Sequence, residues 1–333
     1  MENKTVKVAV VGLGKMGLMH AGILNVLPNA KFVAVCEKSA FVRKFIKKAF
    51  GTVTVVDDVN KLSELNLDAV YVTTPISSHF PVIRSLFLER IAPNIFVEKT
   101  LASNFEEARE LGELARRFGG VTMVGYQRRF SVIFKKAKAL LEQGAIGKIT
   151  SFEAYAYSSD FLEIKKNSKV HAAKIGALRD LGCHAIDVAL WFFGDMQVES
   201  VEFGASNSGY SETSVNFKCR GNDNIDGCFS VSQSMENYRL PEVGLLVKGS
   251  SGIMEVSDDR IDLKLKSKKT TTWYRHDLND NVAFLLGTPE YIREDAHFIE
   301  SILQGQNAEP NFETAMKVDY LIDQIKEKAG KIE

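Results

Sequence analysis

Along the first 125 residues, short apolar runs rich in β-branched residues alternate with stretches of helical periodicity. Residues 6–11, 32–35, 53–56, 69–72, 95–97 and 121–124 are almost continuously apolar, which predicts strands buried on both faces. Between them, 16–26, 40–49, 78–88 and 105–118 repeat apolar positions at helical spacing. Ser103 and Glu106 have the spacing of a capping box, and Gly119-Gly120 stops that helix. Alternation of this kind predicts right-handed βαβ units and a doubly wound parallel sheet. After Phe130 the pattern changes. A helix (132–142) and an extended stretch (149–157) lead to a polar, lysine-rich loop and a short, very apolar helix (184–193). Five or six alternating segments follow between 198 and 266, broken by turn clusters such as Gly221-Asn222-Asp223-Asn224. They predict a large, mostly antiparallel open sheet in a second α/β domain. The tail returns to helix at 289–303 and 313–328. The expected domains are therefore 1–124 and 125–333.

With 333 residues, 45% of them hydrophobic and 25% charged, the chain has enough apolar material for two cored domains. Its 42 basic residues balance 42 acidic ones, so no global field draws it to nucleic acid or an anionic membrane. The N-terminal residues lack the apolar stretch of a signal peptide, and no run reaches the ~20 apolar residues of a membrane span. A cytoplasmic address is expected. The four cysteines lack metal-like spacing; Cys219 and Cys228 are placed to meet across a hairpin, but packed, reduced thiols are the expectation. No metal site is expected.

Chemistry enters with Gly12-Leu13-Gly14-Lys15-Met16-Gly17, a G-x-G-x-x-G between a strand and a helix. Gly12 serves the tight turn, Gly14 lets backbone approach a pyrophosphate, and Gly17 lets helix and strand pack closely. Glu37 follows ~20 positions later at the end of the second strand, where a carboxylate holds both ribose hydroxyls. That charge repels a 2′-phosphate and favours NAD; Lys38 beside it keeps NADP open. Thr73-Thr74-Pro75 with His79, and Glu98-Lys99, follow the fourth and fifth strands at the sheet edge where ligands bind. Lys99 has a competing reading as a structural ion-pair partner. In Asp180-Leu181-Gly182-Cys183-His184-Ala185-Ile186-Asp187 the polar residues fall at i, i+4 and i+7, one face of an otherwise apolar helix. Such a stripe is either paired or lines a cavity.

The N-terminal GxGxxG, Thr-Pro-x-x-x-His, Glu-Lys, Gly-Tyr-Gln-Arg-Arg-Phe (125–130) and Asp-Leu-Gly-x-His-x-Ile-Asp (180–187) occur in an order that resembles the glucose–fructose oxidoreductase / inositol dehydrogenase (Gfo/Idh/MocA) family over essentially the whole chain. The resemblance implies a Rossmann domain followed by a substrate-binding and oligomerisation domain, which forms homodimers or homotetramers through its sheet. It implies an NAD(P)-dependent dehydrogenase passing a hydride between nicotinamide and a hydroxyl carbon of a sugar, cyclitol or nucleotide-linked sugar. Lys99 would position the hydroxyl, His184 would take its proton, and Asp180 would tune His184. The implied cofactor contacts are Gly12, Leu13, Gly14, Lys15, Met16, Glu37, Lys38, Thr73, Thr74, Pro75, His79, Glu98, Lys99 and Gln127, with Arg129 and Tyr157 on the substrate. Thr100 and Ile76 depart from the family's usual Pro and Asn. The basic run Lys165, Lys166, Lys169 and Lys174 raises an anionic substrate group as an alternative to a solvated loop. Two rival functions stay open: a non-catalytic cofactor-sensing regulator, and an NAD-assisted glycosidase of the same family.

Overall fold

The computed structural model describes residues 4–49, 51–160, 175–204, 212–266, 268–280 and 289–330; the lysine-rich loop lies outside them. The chain divides into two compact units, Met1–Gln127 with Tyr291–Tyr320, and Arg128–Glu290 with Leu321–Glu333. The cut expected at 124/125 lies close to the Gln127/Arg128 junction, and Tyr291–Tyr320 group with the first unit.

In the first unit the apolar runs become β1 (Val6–Val11), β2 (Ala30–Cys36), β3 (Thr54–Val56), β4 (Ala69–Val72), β5 (Asn94–Glu98) and β6 (Thr122–Gly125). They pair parallel in the order β3-β2-β1-β4-β5-β6. Helices α1 (Lys15–Leu24), α2 (Ala40–Ala49), α3 (His79–Leu88) and α4 (Phe105–Phe118) connect them. The strand order reverses between β1 and β4, so the carboxyl ends of these two strands flank the crevice where such sheets take ligands. β4, β5 and β6 are buried throughout, whereas β3 is an edge strand and half of β2 is only part-covered, which two-sided burial did not anticipate. The α4 cap also differs by one residue. Asn104 accepts from Glu107 N at 2.9 Å, and the Glu107 carboxylate accepts from Ser103 N at 3.1 Å.

The second unit starts with α5 (Val132–Glu142) and β7 (Ile149–Tyr157). A π-helical turn, Leu178–Gly182, then runs into α6 (Cys183–Phe193). β8 (Met196–Phe203), β9 (Ser214–Gly221), β10 (Asp226–Ser232), β11 (Glu242–Gly249), β12 (Gly252–Val256), β13 (Arg260–Leu265) and β14 (Thr271–Tyr274) complete an eight-stranded sheet. Its order is β14-β13-β12-β11-β7-β10-β9-β8, antiparallel except for the β7–β10 pair. The period-2 alternation sets its two faces. Phe152, Ala154 and Ala156 of β7 are buried, and Phe152 stacks on Phe193 of α6 at 4.2 Å; Glu153, Tyr155 and Tyr157 point to the other face. Cys219 lies opposite Gly227 and Cys228 opposite Lys218, so the two thiols sit on opposite faces and all four cysteines are free.

The tail forms α7 (Glu290–Gln304) and α8 (Phe312–Ala329). Phe298 of α7 meets Tyr71 of β4 edge-on at 5.5 Å, within the first unit's aromatic core. Among the described residues no helix is long and apolar enough to cross a membrane.

Candidate active site

The glycine loop is built for close backbone approach. Gly12 has φ +89°, and a β-carbon there would meet Thr74 Cγ2 at 2.8 Å. A β-carbon on Gly17 would lie 2.0 Å from Gly12 O, so α1 can only start this tightly on glycine. Gly14 is the N-cap of α1, supplies no capping side chain and has open space around its β position. The first-turn N–H groups at Lys15, Met16 and Gly17 therefore point outward without intrahelical acceptors. Such donors at the positive end of a helix fit the pyrophosphate of a dinucleotide.

Neighbouring strand ends complete this edge. Thr73 N donates to Val11 O at 2.9 Å and Thr73 Oγ1 to Gly12 O at 2.6 Å, which joins the β4 end to the loop. Thr74 Oγ1 is buried and has no partner. Glu37 follows β2 and is half-buried; its carboxylate accepts from Leu13 N at 2.8 Å and from Ser39 N at 2.7 Å. Backbone thus fixes a negative charge beside the loop, while Lys38 is exposed. Gln127, half-buried, opens the turn after β6.

His79 departs from its expected place on the cofactor. Its ring is fully buried, with Nδ1 2.8 Å from Thr100 O and Nε2 2.9 Å from Thr74 O. Burial lowers its pKa, and the neutral ring, lying between these two carbonyl oxygens, donates to one of them at a time. Pro75 precedes the short 3₁₀ turn Ile76–Ser78, where Ile76 packs as a buried apolar residue.

Glu98 closes β5, and Lys99, half-buried, follows it through a peptide whose next bond, Lys99–Thr100, is cis. Glu98 has a partner that sequence reasoning missed. His20 Nε2 lies 2.9 Å from Glu98 Oε1, and His20 Nδ1 lies 2.9 Å from Asp295 Oδ1 of α7. Ionised carboxylates only accept, so the ring donates from both nitrogens, as imidazolium alone does. Burial opposes that charge, but Asp295 and Glu98 outweigh it and hold the His20 pKa well above the ordinary histidine value. The ligand atoms of His20, Glu294 and Asp295 fall within 4.8 Å of one another, yet the ring nitrogens sit at hydrogen-bond length from carboxylates, the arrangement of an ion pair. The signal was available: Gly17, His20, Ala21 and Leu24 form the buried stripe of α1, and His20 is its polar member.

In the second unit the Asp–His–Asp stripe separates into two functions. Asp180 sits in the π turn, half-buried, and its Oδ2 accepts from Gln233 Nε2 at 2.9 Å. π turns of this kind are rare and concentrate at functional sites. His184 is 7% exposed on the first turn of α6. Asp187 is spent elsewhere: Arg129 holds it through Nε at 2.9 Å and Nη2 at 2.7 Å, with the guanidinium 5.8 Å over Trp191. Arg129, expected on the substrate, is buried and ion-paired with Asp187. Tyr157 is likewise expected on the substrate. Alternation along β7 turns it to the face away from α6, where it stacks with Tyr155 at 5.0 Å. That open face holds a groove of about 840 Å³, lined among others by Tyr155, Tyr157, Lys218, Leu246 and Arg260.

Comparison with known proteins agrees with this reading of the fold. Residues 6–126 match the family model described as oxidoreductase family, NAD-binding Rossmann fold, and residues 134–255 match the GFO/IDH/MocA C-terminal domain. The chain belongs to the Gfo/Idh/MocA oxidoreductase family. It is 28% identical over 196 residues to scyllo-inositol 2-dehydrogenase (NAD(+)) of Bacillus subtilis (strain 168), covering 57% of this chain and 54% of that protein. It is 25% identical over 206 residues to D-glucoside 3-dehydrogenase of Escherichia coli (strain K12), covering 60% and 58%. The matched stretch spans a little over half the length of these curated relatives. Levoglucosan dehydrogenase, solved with NADH and levoglucosan, shares the fold at TM-score 0.88 and 19% identity, covering 98% of each chain.

Proposed function

We propose that this protein is an NAD-dependent dehydrogenase that oxidises a hydroxyl-bearing carbon of a sugar, cyclitol or nucleotide-linked sugar, or reduces the matching ketone. The observation that carries the reading is the cradle at the β1–β4 switch point: an uncapped helix N-terminus, an open Gly14 and a carboxylate pinned beside it. Gly12 to Met16, with Thr73, Thr74 and Pro75, would hold the dinucleotide, which when bound supplies the hydride acceptor. Lys99 donates a hydrogen bond to the substrate hydroxyl and orients it. His184 accepts the hydroxyl proton, a task suited to a group that titrates near neutrality. Asp180 favours the imidazolium that results. The curated relatives named for inositol and glucoside oxidation support the substrate class. The test is NADH formation from NAD against a panel of free and nucleotide-linked sugars and cyclitols, starting with scyllo-inositol and myo-inositol. Bond cleavage without net NADH would overturn it in favour of a glycosidase.

Cofactor choice follows from Glu37. Its fixed charge repels a 2′-phosphate, so calorimetry should show NAD(H) bound more tightly than NADP(H). Glu37→Ala should narrow the gap and also weaken NAD(H), because Leu13 N loses its acceptor. Tighter NADP(H) binding by the unaltered protein would sink this and implicate Lys38.

The open face of the second unit's sheet pairs copies of the chain into a homodimer or homotetramer. Its groove, half apolar and rimmed by charges, supports that use. Leu246→Lys on this face should shift the mass measured by light scattering toward the monomer; an unchanged mass would place the interface elsewhere.

A further inference from the structure

Gln233 is a polar residue at a position the sheet reserves for core. Along β10 and one residue beyond it, Gly227, Phe229, Val231 and Gln233 share one parity, and Gln233 is only 1% exposed. Its backbone N–H donates to Thr213 O at 3.0 Å, so the main chain is fixed. Its side chain donates from Nε2 to Asp180 Oδ2 at 2.9 Å, while Oε1 is sealed from solvent and accepts no bond from the described residues. Burying an amide oxygen without a donor costs free energy. Packing alone would favour Leu or Met here.

The geometry points to Gln233 as a positioning residue that holds Asp180 ionised and aimed, and through it sets the basicity of His184. This inference rests on the reading of His184 as the proton acceptor. The amide end facing Asp180 is the donor end, and a donor stabilises the charged carboxylate over the neutral acid. A protonated Asp180 would need the amide turned over, with Oε1 accepting. The π turn delivers Asp180 to this contact by lying close on β10; a β-carbon at Gly182 would come within 3.1 Å of Val231 Cγ2. Other charged groups around the turn are engaged as well. Glu212 accepts from Leu178 N at 3.3 Å, Arg179 pairs with Asp323 of α8 at 2.9 Å, and Asp187 pairs with Arg129. Gln233 is a buried side chain through which the fold bears on Asp180.

One variant tests this. Gln233→Met removes the donor and the sealed oxygen together, so the melting temperature should hold or rise. Turnover on the best substrate of the inositol and sugar panel should fall roughly tenfold, the weight of one charge-assisted hydrogen bond, with NAD(H) affinity unchanged. The same variant takes a donor away from the Asp180 carboxylate, so its support for the imidazolium weakens and the His184 titration should move to lower pH. NMR titration reads that shift without any substrate, with the His184 signal assigned by its loss in His184→Ala. An early-melting Gln233→Met, full turnover in that variant, or an unmoved His184 titration in it overturns the inference. If His184→Ala itself keeps full turnover, the proton-acceptor reading falls first and takes this inference with it. If His184→Ala is inactive while Gln233→Met is unimpaired, only the inference falls.

Discussion

Replacing His184 with alanine should leave NAD(H) binding nearly intact and cut turnover ~10²–10⁴-fold, the usual weight of a general base. His184 is not among the residues proposed to hold the dinucleotide, which centre on the Gly12–Met16 loop, so cofactor affinity and turnover should separate cleanly. Lys99→Met should also spare cofactor affinity while damaging both turnover and the KM for substrate, because it removes a group that orients the hydroxyl. Asp180→Asn should move the acid limb of the pH–rate profile downward, since the carboxylate no longer favours imidazolium. A purely structural histidine gives a different result. Unsatisfied burial would then lower stability by ~1–3 kcal/mol, with turnover per folded molecule little changed. Melting temperature and turnover measured on the same preparations separate the two. An early-melting His184→Ala that turns over at the full rate would end the catalytic assignment.

The fold was legible where burial is one-sided or complete. Continuous apolar runs gave β1 and β4 to the residue, and alternation gave β7. β14 was missed because Thr271–Tyr274 is a short edge strand with mixed exposure, which leaves no alternation to read. The tail's return to the first unit was also hidden, since periodicity shows that α7 is amphipathic but not which core takes its apolar face. At the site, the glycine loop and Glu37 were readable because their spacing is local. The fates of Arg129, Asp187, His79 and His20 were not. Each is decided by a partner more than 20 residues away: Asp187 for Arg129, Thr100 for His79, and Glu98 and Asp295 for His20. Glu98-Lys99 shows both sides of this. Local spacing put both residues at the end of β5, while the pairing of Glu98 with His20 left no local signal.

Asp187→Ala should be the most destabilising single change at the second unit's site, costing ~3–5 kcal/mol. Asp187 is 1% exposed and Arg129 7%, so truncating the acid takes a two-point counter-charge from a nearly buried guanidinium. Trp191 beneath it offers a ring face but no counter-charge. The loss should appear as a lower denaturant midpoint. Because Asp187 lies one turn beyond His184 on α6, turnover should fall as well, through a loosened helix rather than a missing chemical group. Arg129→Met alone should be milder but still costly, leaving a buried carboxylate that neutralises by raising its pKa. Combining Arg129→Met with Asp187→Leu removes both charges and should recover most of the stability, since well-packed apolar residues replace buried ion pairs at little net cost. The double variant should also regain turnover, because neither side chain takes part in the chemistry. If Arg129→Met instead keeps the wild-type denaturant midpoint and raises only the KM for substrate, then Arg129 is a substrate contact and the ion pair is incidental.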